Sequence, residues 1–196
     1  RKQETTIVNR YIAILIAALT SAEMQAFQLA PRLVVNITID QLRSDYIEAF
    51  SPLFSQDGFR KLMQEGKVYE TASYPFKSVT EPSAIATIAT GATPHYHGIV
   101  PPQWLARNTL RQIYCVDDNR YGASPANLKT STVSDEMKIS SAGSSIVYSI
   151  AEDKSSAILS AGHAADNAIW FDGTRRKWQT SPYYGPSPKW LNTGIF

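Results

Sequence analysis

The chain has one cysteine in 196 residues, three histidines and almost no excess of either charge. A single thiol, Cys115, cannot close an internal disulfide, and its expected state is buried and inert. Nineteen Lys and Arg against 17 Asp and Glu leave a formal charge of +2. That balance offers no electrostatic footprint for nucleic acid as a binding partner or for an anionic membrane. A long hydrophobic run is missing too: the apolar stretch "YIAILIAAL" (11–19) is too short to span a bilayer. Internal repeats, low-complexity segments and disordered linkers are also absent. What is present, 43% hydrophobic and 18% charged residues, suits one ordinary domain with its own core.

The first residues read as an address label. Arg1, Lys2 and Arg10 are basic and flank the apolar run, the pattern of a signal-peptide core region. Residues 1–26 are therefore expected to be a signal peptide, cut after Ala22 or Ala26, although an attached anchor helix fits the same run. The remainder, 27–196, is expected to be exported, in the periplasm or cell envelope, with no stable membrane span.

Along that remainder, "RLVVNITID" (32–40) predicts a buried, central parallel strand ending in Asp40. "QLRSDYIEAF" after it can start a helix. "GFRKLMQEG" (58–66) puts Phe59, Leu62 and Met63 on one helical face and stops at Gly66. "KVYETASY" (67–74) is strand-like. A helix begins at Pro82, a residue that suits the first position, and ends at Gly91. Residues 101–130 show few periodic apolar positions and predict a long surface excursion. Thr132 and Asp135 have capping-box spacing. "SSIVYSIA" (144–151) and "SAILSAG" (156–162) read as strands, and "AIWFDGTRRKWQT" (168–180) as a hairpin turning at Asp172-Gly173. Alternating strands and helices predict a layered α/β fold with a largely parallel central sheet flanked by helices.

The stretch "KSVTEPSAIATIATGATPHYHG" (77–98) raises a chemical question. Thr80 stands at a helix start, where free N–H groups and partial positive charge favour a phosphate or sulfate group. Asp40 stands where a strand should end, and open α/β sheets bind ligands at the carboxyl ends of their strands. A hydroxyl so placed can attack an anionic ester if its proton is removed. A metal ion held by Asp40 is one way to remove it. Plain capping explains Thr80 equally well, and a turn explains Asp40.

"VVNITIDQLRSDYI", "GFRKLMQEGKVYETASYPF", "SVTEPSAIATIATGATPHYHGI" and "SAILSAGHAADNAIWFD" together resemble the alkaline phosphatase superfamily. The nearest branch is the phosphate-irrepressible alkaline phosphatases and the related nucleotide pyrophosphatase/phosphodiesterases. The resemblance implies an exported hydrolase of small phosphate esters with two zinc ions. It implies Asp40 as a metal ligand, and Thr80 as both metal ligand and the nucleophile that forms a covalent phosphothreonine. The family's other metal ligands lie beyond residue 196, so the chain is expected to be the N-terminal portion of a longer enzyme, incomplete and inactive alone. His95, His97 and His163 fall on framework positions.

Three departures bear on substrate charge. After "HGI" the family has an Asn that contacts a phosphate oxygen; Pro102 stands there, and Gln103 beside it is the candidate substitute. The monoesterases carry a Lys-Asp-Arg segment before "SAIL". Here Asp153, Lys154 and Ser155 stand in its place, and Lys154 is the candidate that compensates. Losing charge-assisted bonds costs a dianionic monoester more than a diester. The alternative is a non-catalytic relative kept for binding or envelope assembly, with Trp170, Phe171, Trp178, Tyr183, Tyr184 and Trp190 as a recognition surface or simply as stacked pairs. A sulfatase would need Cys or Ser in C/S-x-P-x-R, and Thr80-Glu81-Pro82-Ser83-Ala84 lacks the Arg.

Overall fold

A computed structural model describes residues 31–192; the expected signal peptide lies outside them. Residues up to Ile37 and those from Thr38 onward group separately. In the first group, the described residues form no strand, and Leu33, Val35 and Ile37 are 79%, 68% and 74% exposed. The buried central strand expected over 32–40 is thus not formed. A Val- and Ile-rich run satisfies β propensity, but a strand also needs a neighbour to take its N–H and C=O groups.

From Thr38 onward, helix α1 (Ser44–Phe50) and helix α2 (Phe59–Glu65) appear where the sequence predicts helices. Gly66 ends α2, its N–H donating to the Leu62 carbonyl at 2.9 Å. Leu62 and Met63 remain exposed, while Phe59 packs on Phe54 with ring centroids 5.1 Å apart. Residues 67–74, expected as strand-like, make no ladder either, and Val68 and Tyr69 face solvent.

Helix α3 (Glu81–Thr90) follows its N-cap Thr80 and closes on Gly91, whose left-handed backbone (φ 67°) suits a residue without Cβ. Pro82 sits in the first turn, one place later than expected. The single turn α4 (Pro94–His97) comes next. Two short hairpins then fill the region expected to be a surface excursion: β1 (Gln103–Leu105) with β2 (Gln112–Tyr114), and β3 (Asp117–Asp118) with β4 (Gly122–Ala123). Much of it is core. Cys115, Val116, Ala123 and Leu128 are buried beside Ile85 and Ile158. Isolated apolar residues show no period, yet hairpin turns collect them on one side.

Helix α5 (Val133–Ser140) starts at the expected Thr132–Asp135 capping box. Strand β5 (Tyr148–Ala151), helix α6 (Lys154–Ala161) and strand β6 (Asn167–Asp172) form a βαβ unit with β5 and β6 parallel. Strand β7 (Lys177–Thr180) returns antiparallel to β6 through a loop tied by Asp172, which accepts from the Thr174 and Arg175 N–H groups at 3.0 Å. The expected hairpin is present. The strand expected over 156–162 is instead α6. An apolar run buried on all sides shows no helical period, whereas a parallel pair needs a crossover that is usually helical. The Asp153 carboxylate starts that helix by accepting from the Ser155 and Ser156 N–H groups at 2.7 and 3.1 Å. The fold is layered α/β, and the described sheet, in the order β5-β6-β7, leaves β5 at an edge.

A buried carboxylate closes the α5 end of the core. Asp135 accepts from the N–H groups of Thr132, His163 and Ala164 at 2.8, 2.7 and 2.7 Å. His163 Nδ1 lies 3.1 Å from it, and His163 Nε2 lies 3.0 Å from the Leu128 carbonyl. Both ring partners are acceptors, an arrangement that favours the doubly protonated, charged ring. Burial opposes charge on Asp135, but the bonds from His163, Thr132 and Ala164 outweigh it and hold the carboxyl well below its usual range. The Asp135 hydrogen bond in turn raises the His163 pKa.

Two outcomes follow for stability. Gly162 has φ +76°, and a Cβ there would collide with Thr132 Oγ1 and lie 2.7 and 2.9 Å from the Asp135 oxygens. Gly162→Ala should cost on the order of 3 kcal/mol in urea unfolding, combining backbone strain and overpacking. The Asp135 contribution is present above the unfolded carboxyl pKa of about 3.9 and is lost as pH falls through its lowered folded value. The His163 contribution is full below about 6.5 and is lost as pH rises through its raised folded value. Tm against pH should show the chain gaining most over His163→Gln between about pH 4 and 6.5. Burial, reinforced by the Asp153 charge, pushes the Cys115 thiol up to about 12. The native chain should therefore resist a thiol reagent at pH 8 that labels it fully in denaturant, read by absorbance.

Candidate active site

The start of α3 carries the candidate nucleophile. Thr80 and Ser83 form a capping box: the Thr80 N–H donates to Ser83 Oγ at 2.9 Å, and Ser83 Oγ donates to the Thr80 carbonyl at 2.8 Å. The Thr80 hydroxyl is half-buried, donates to the Val100 carbonyl at 2.9 Å and lies 3.1 Å from Ser83 Oγ. A short polar side chain at Thr80, the turn supplied by Pro82 and the small residues behind it set this geometry.

A closed circuit of contacts joins that hydroxyl to two other elements. Val100 lies three residues before Gln103, which faces Tyr114 across the β1–β2 ladder. The Tyr114 hydroxyl donates to Ser155 Oγ at 3.0 Å and lies 3.4 Å from Asp153 Oδ1. Burial, and the Asp153 charge beside it, push the Tyr114 hydroxyl up to about 12, so it stays protonated. One turn into α6, the Ser156 hydroxyl donates to Glu81 Oε1 at 2.7 Å, beside Thr80. Helices α3 and α6 thus pack with their N-terminal ends together. Glu81 is thereby engaged by Ser156.

Thr80, Gln103 and Lys154 therefore lie on one circuit, and Asp40 does not. Asp40 is exposed in a turn, and among the described residues its carboxylate accepts from the Gln41 amide at 3.4 Å. Among the described residues no hydrogen bond or ion pair joins it to the other three. The Gln103 amide oxygen accepts from Gln112 Nε2 across the hairpin. The Lys154 ammonium sits 4.9 Å from the Tyr114 ring centroid and 3.9 Å from Asp117 Oδ1. Pro102 contributes only its carbonyl, which accepts from the Cys115 N–H at 2.8 Å.

The histidines behave as framework. His97 is buried, accepts from the Ile99 N–H at Nδ1 (3.1 Å) and so presents Nε2–H to Thr87 Oγ1 at 3.1 Å. Burial lowers its pKa and keeps it neutral. The aromatic residues pair with one another: Phe171 with Trp178 at 5.4 Å, Tyr183 with Tyr184 at 4.9 Å and Tyr148 with Trp190 at 5.9 Å, while Trp170 is buried. The sequence reading missed Tyr114, Ser156 and the Val100 carbonyl. Tyr114 lay inside the supposed excursion, and a main-chain acceptor carries no residue signature.

Of the described residues, the resemblance implies Asp40 and Thr80 as metal ligands, and no recorded contact joins the two. No group of three or more His, Cys, Asp or Glu side chains among them could hold an ion. A two-zinc centre is thus not built by these residues alone. No helix among them is long and apolar enough to cross a membrane.

The chain is similar to known proteins. The chain is 34% identical over 172 residues to a protein of Myroides odoratus named a calcium-transporting ATPase, covering 82% of this chain and 31% of that protein. It is 32% identical over 173 residues to alkaline phosphatase PhoV of Synechococcus elongatus, covering 83% of this chain and 32% of that enzyme. The chain thus spans about a third of the length of these relatives. The crystal structure of alkaline phosphatase PafA superposes with a TM-score of 0.72 at 29% identity, over 84% of this chain and 34% of that one. A variant of that phosphatase, with a threonine changed to serine and an asparagine, a lysine and an arginine changed to alanine, superposes at 0.71. Residues 34–193 match the type I phosphodiesterase / nucleotide pyrophosphatase family. The chain belongs to that family, as an N-terminal portion of the alkaline phosphatase fold.

Proposed function

We propose that the protein is an exported, metal-dependent phosphoester hydrolase that works through a covalent phosphothreonine on Thr80. The observation that carries this reading is the Thr80 hydroxyl at the start of α3, in a chain of this family. The positive end of α3 favours an anionic phosphoryl group there. The four residue types altered in the PafA variant are the ones the resemblance tracks. Thr80 keeps the threonine, while Pro102, Asp153 and Ser155 stand where the Asn, Lys and Arg are expected.

In the reaction, Thr80 Oγ forms a bond to phosphorus while the bond to the leaving oxygen breaks, and the alcohol departs with a proton. Water then cleaves the Thr80–phosphate bond and releases phosphate, or a monoester when the substrate is a diester. Neither partner of the Thr80 hydroxyl is a base: Val100 offers a carbonyl and Ser83 a hydroxyl. Within this reading Asp40 and Thr80 are the oxygen ligands this chain brings to zinc, which when bound makes such a proton easier to lose. Gln103 and Lys154 are the substrate-side candidates, Lys154 once released from Asp117. Export follows from the basic and apolar N-terminus.

The test is turnover of a chromogenic phosphomonoester and its matching diester by the intact protein in zinc. Thr80→Ala should lose at least about 10³-fold in kcat, and Thr80→Ser should retain part of it. Chelation should abolish turnover and added zinc restore it. No turnover together with no bound metal would establish the binding-protein alternative instead.

A further inference from the structure

The Val100 carbonyl accepts from the Thr80 hydroxyl at 2.9 Å, and the stretch that carries it, 97–102, is tied down at both ends. At one end the His97 ring joins two elements. Its Nδ1 accepts from the Ile99 N–H at 3.1 Å, and its Nε2–H donates to Thr87 Oγ1 at 3.1 Å. Only a neutral ring can accept at one nitrogen and donate at the other. His97 and Ile99 are fully buried. The His97 carbonyl accepts from the Lys129 N–H at 3.0 Å. Between His97 and Ile99, Gly98 has φ +82°, and a Cβ there would lie 3.1 Å from the Asn127 carbonyl oxygen. At the other end the Pro102 carbonyl accepts from the Cys115 N–H at 2.8 Å. Val100 itself precedes Pro101, which favours extended backbone and limits the directions its carbonyl can take. Thr87 stands seven residues after Thr80, about two turns along α3. Hydroxyl and acceptor thus hang from one helix, Thr80 at its start and Val100 through His97 and Thr87.

We propose that His97 is a positioning residue of the Thr80 site: its ring, anchored on Thr87, holds the turn that presents the Val100 carbonyl and so fixes the rotamer of the Thr80 hydroxyl. For its effect on turnover this rests on the hydrolase reading; the hold on the rotamer is a property of the chain with or without turnover. A hydroxyl confined to one rotamer meets an ester in one geometry, and a misplacement of about 1 Å can cost on the order of 10²-fold in rate.

Three substitutions test the link. Thr87→Val removes the hydroxyl that anchors the ring and keeps the shape of the side chain. Thr87→Ser keeps the hydroxyl. His97→Asn keeps an oxygen acceptor for the Ile99 N–H but is too short to reach Thr87. Two quantities are read: kcat and KM for the chromogenic ester with the intact protein in zinc, and the three-bond couplings of the Thr80 methyl carbon, which report its χ1, in the metal-free protein. Thr87→Val and His97→Asn should each lose about tenfold in kcat with KM within about threefold, and the double variant should lose no more than either, because both cut one link. Thr87→Ser should keep kcat within about threefold of the parent. The couplings should show one Thr80 rotamer in the parent and in Thr87→Ser, and averaging in Thr87→Val. Parent-like kcat in Thr87→Val, losses that multiply in the double variant, or the same Thr80 couplings in Thr87→Val as in the parent overturns the proposal. The two Thr87 variants decide it if His97→Asn folds poorly by circular dichroism. Absence of Thr80-dependent turnover in the parent overturns the hydrolase reading instead, and the couplings then decide the role of His97 by themselves.

Discussion

The contact between α3 and α6 holds the described site together. Each helix presents small residues to the core, among them Ala86 on α3 and Ala157 and Ala161 on α6, all fully buried. Small side chains let two helices approach closely, and close approach lets a serine hydroxyl on one reach a carboxylate on the other. The Ser156–Glu81 bond is that reach. It fixes the start of α3 against the start of α6, and with them Thr80 against the Asp153–Ser155 turn. The β1–β2 hairpin closes the arrangement from outside, through Val100 on one side and Tyr114 on the other.

What the sequence revealed depended on whether the signal was local. Caps are local, so Gly66, Gly91 and the Thr132–Asp135 box are legible, and so is the start of α3 at Thr80. The β6–β7 hairpin is legible because Asp172-Gly173 separates two aromatic runs. Strands are not local. Residues 33–39 and 67–74 have strand composition without a ladder among the described residues. "SAILSAG" has it too but forms a crossover helix, because its burial on every side erases the period that separates the two forms. The core contribution of residues 115–128 was hidden for the converse reason: scattered apolar residues show nothing until turns bring them together.

The site was legible in part and by two routes. Helix-end chemistry singled out Thr80, and family resemblance gave it a role. Asp153 and Lys154 were flagged only as departures from that resemblance. The Asp153 cap of α6 is local, two and three residues long, and was hidden by the strand reading of "SAILSAG". Spacing could not reveal that Tyr114 lies against Asp153 or that Lys154 faces Asp117, because those contacts join residues about 40 positions apart.

Strand β5 pairs with β6 on one side, and Tyr148 and Ile150 on it are exposed. Among the described residues its other side pairs with no strand. Such an edge is a template for strand addition. Any main chain that pairs with β5 therefore both extends the sheet and removes that template.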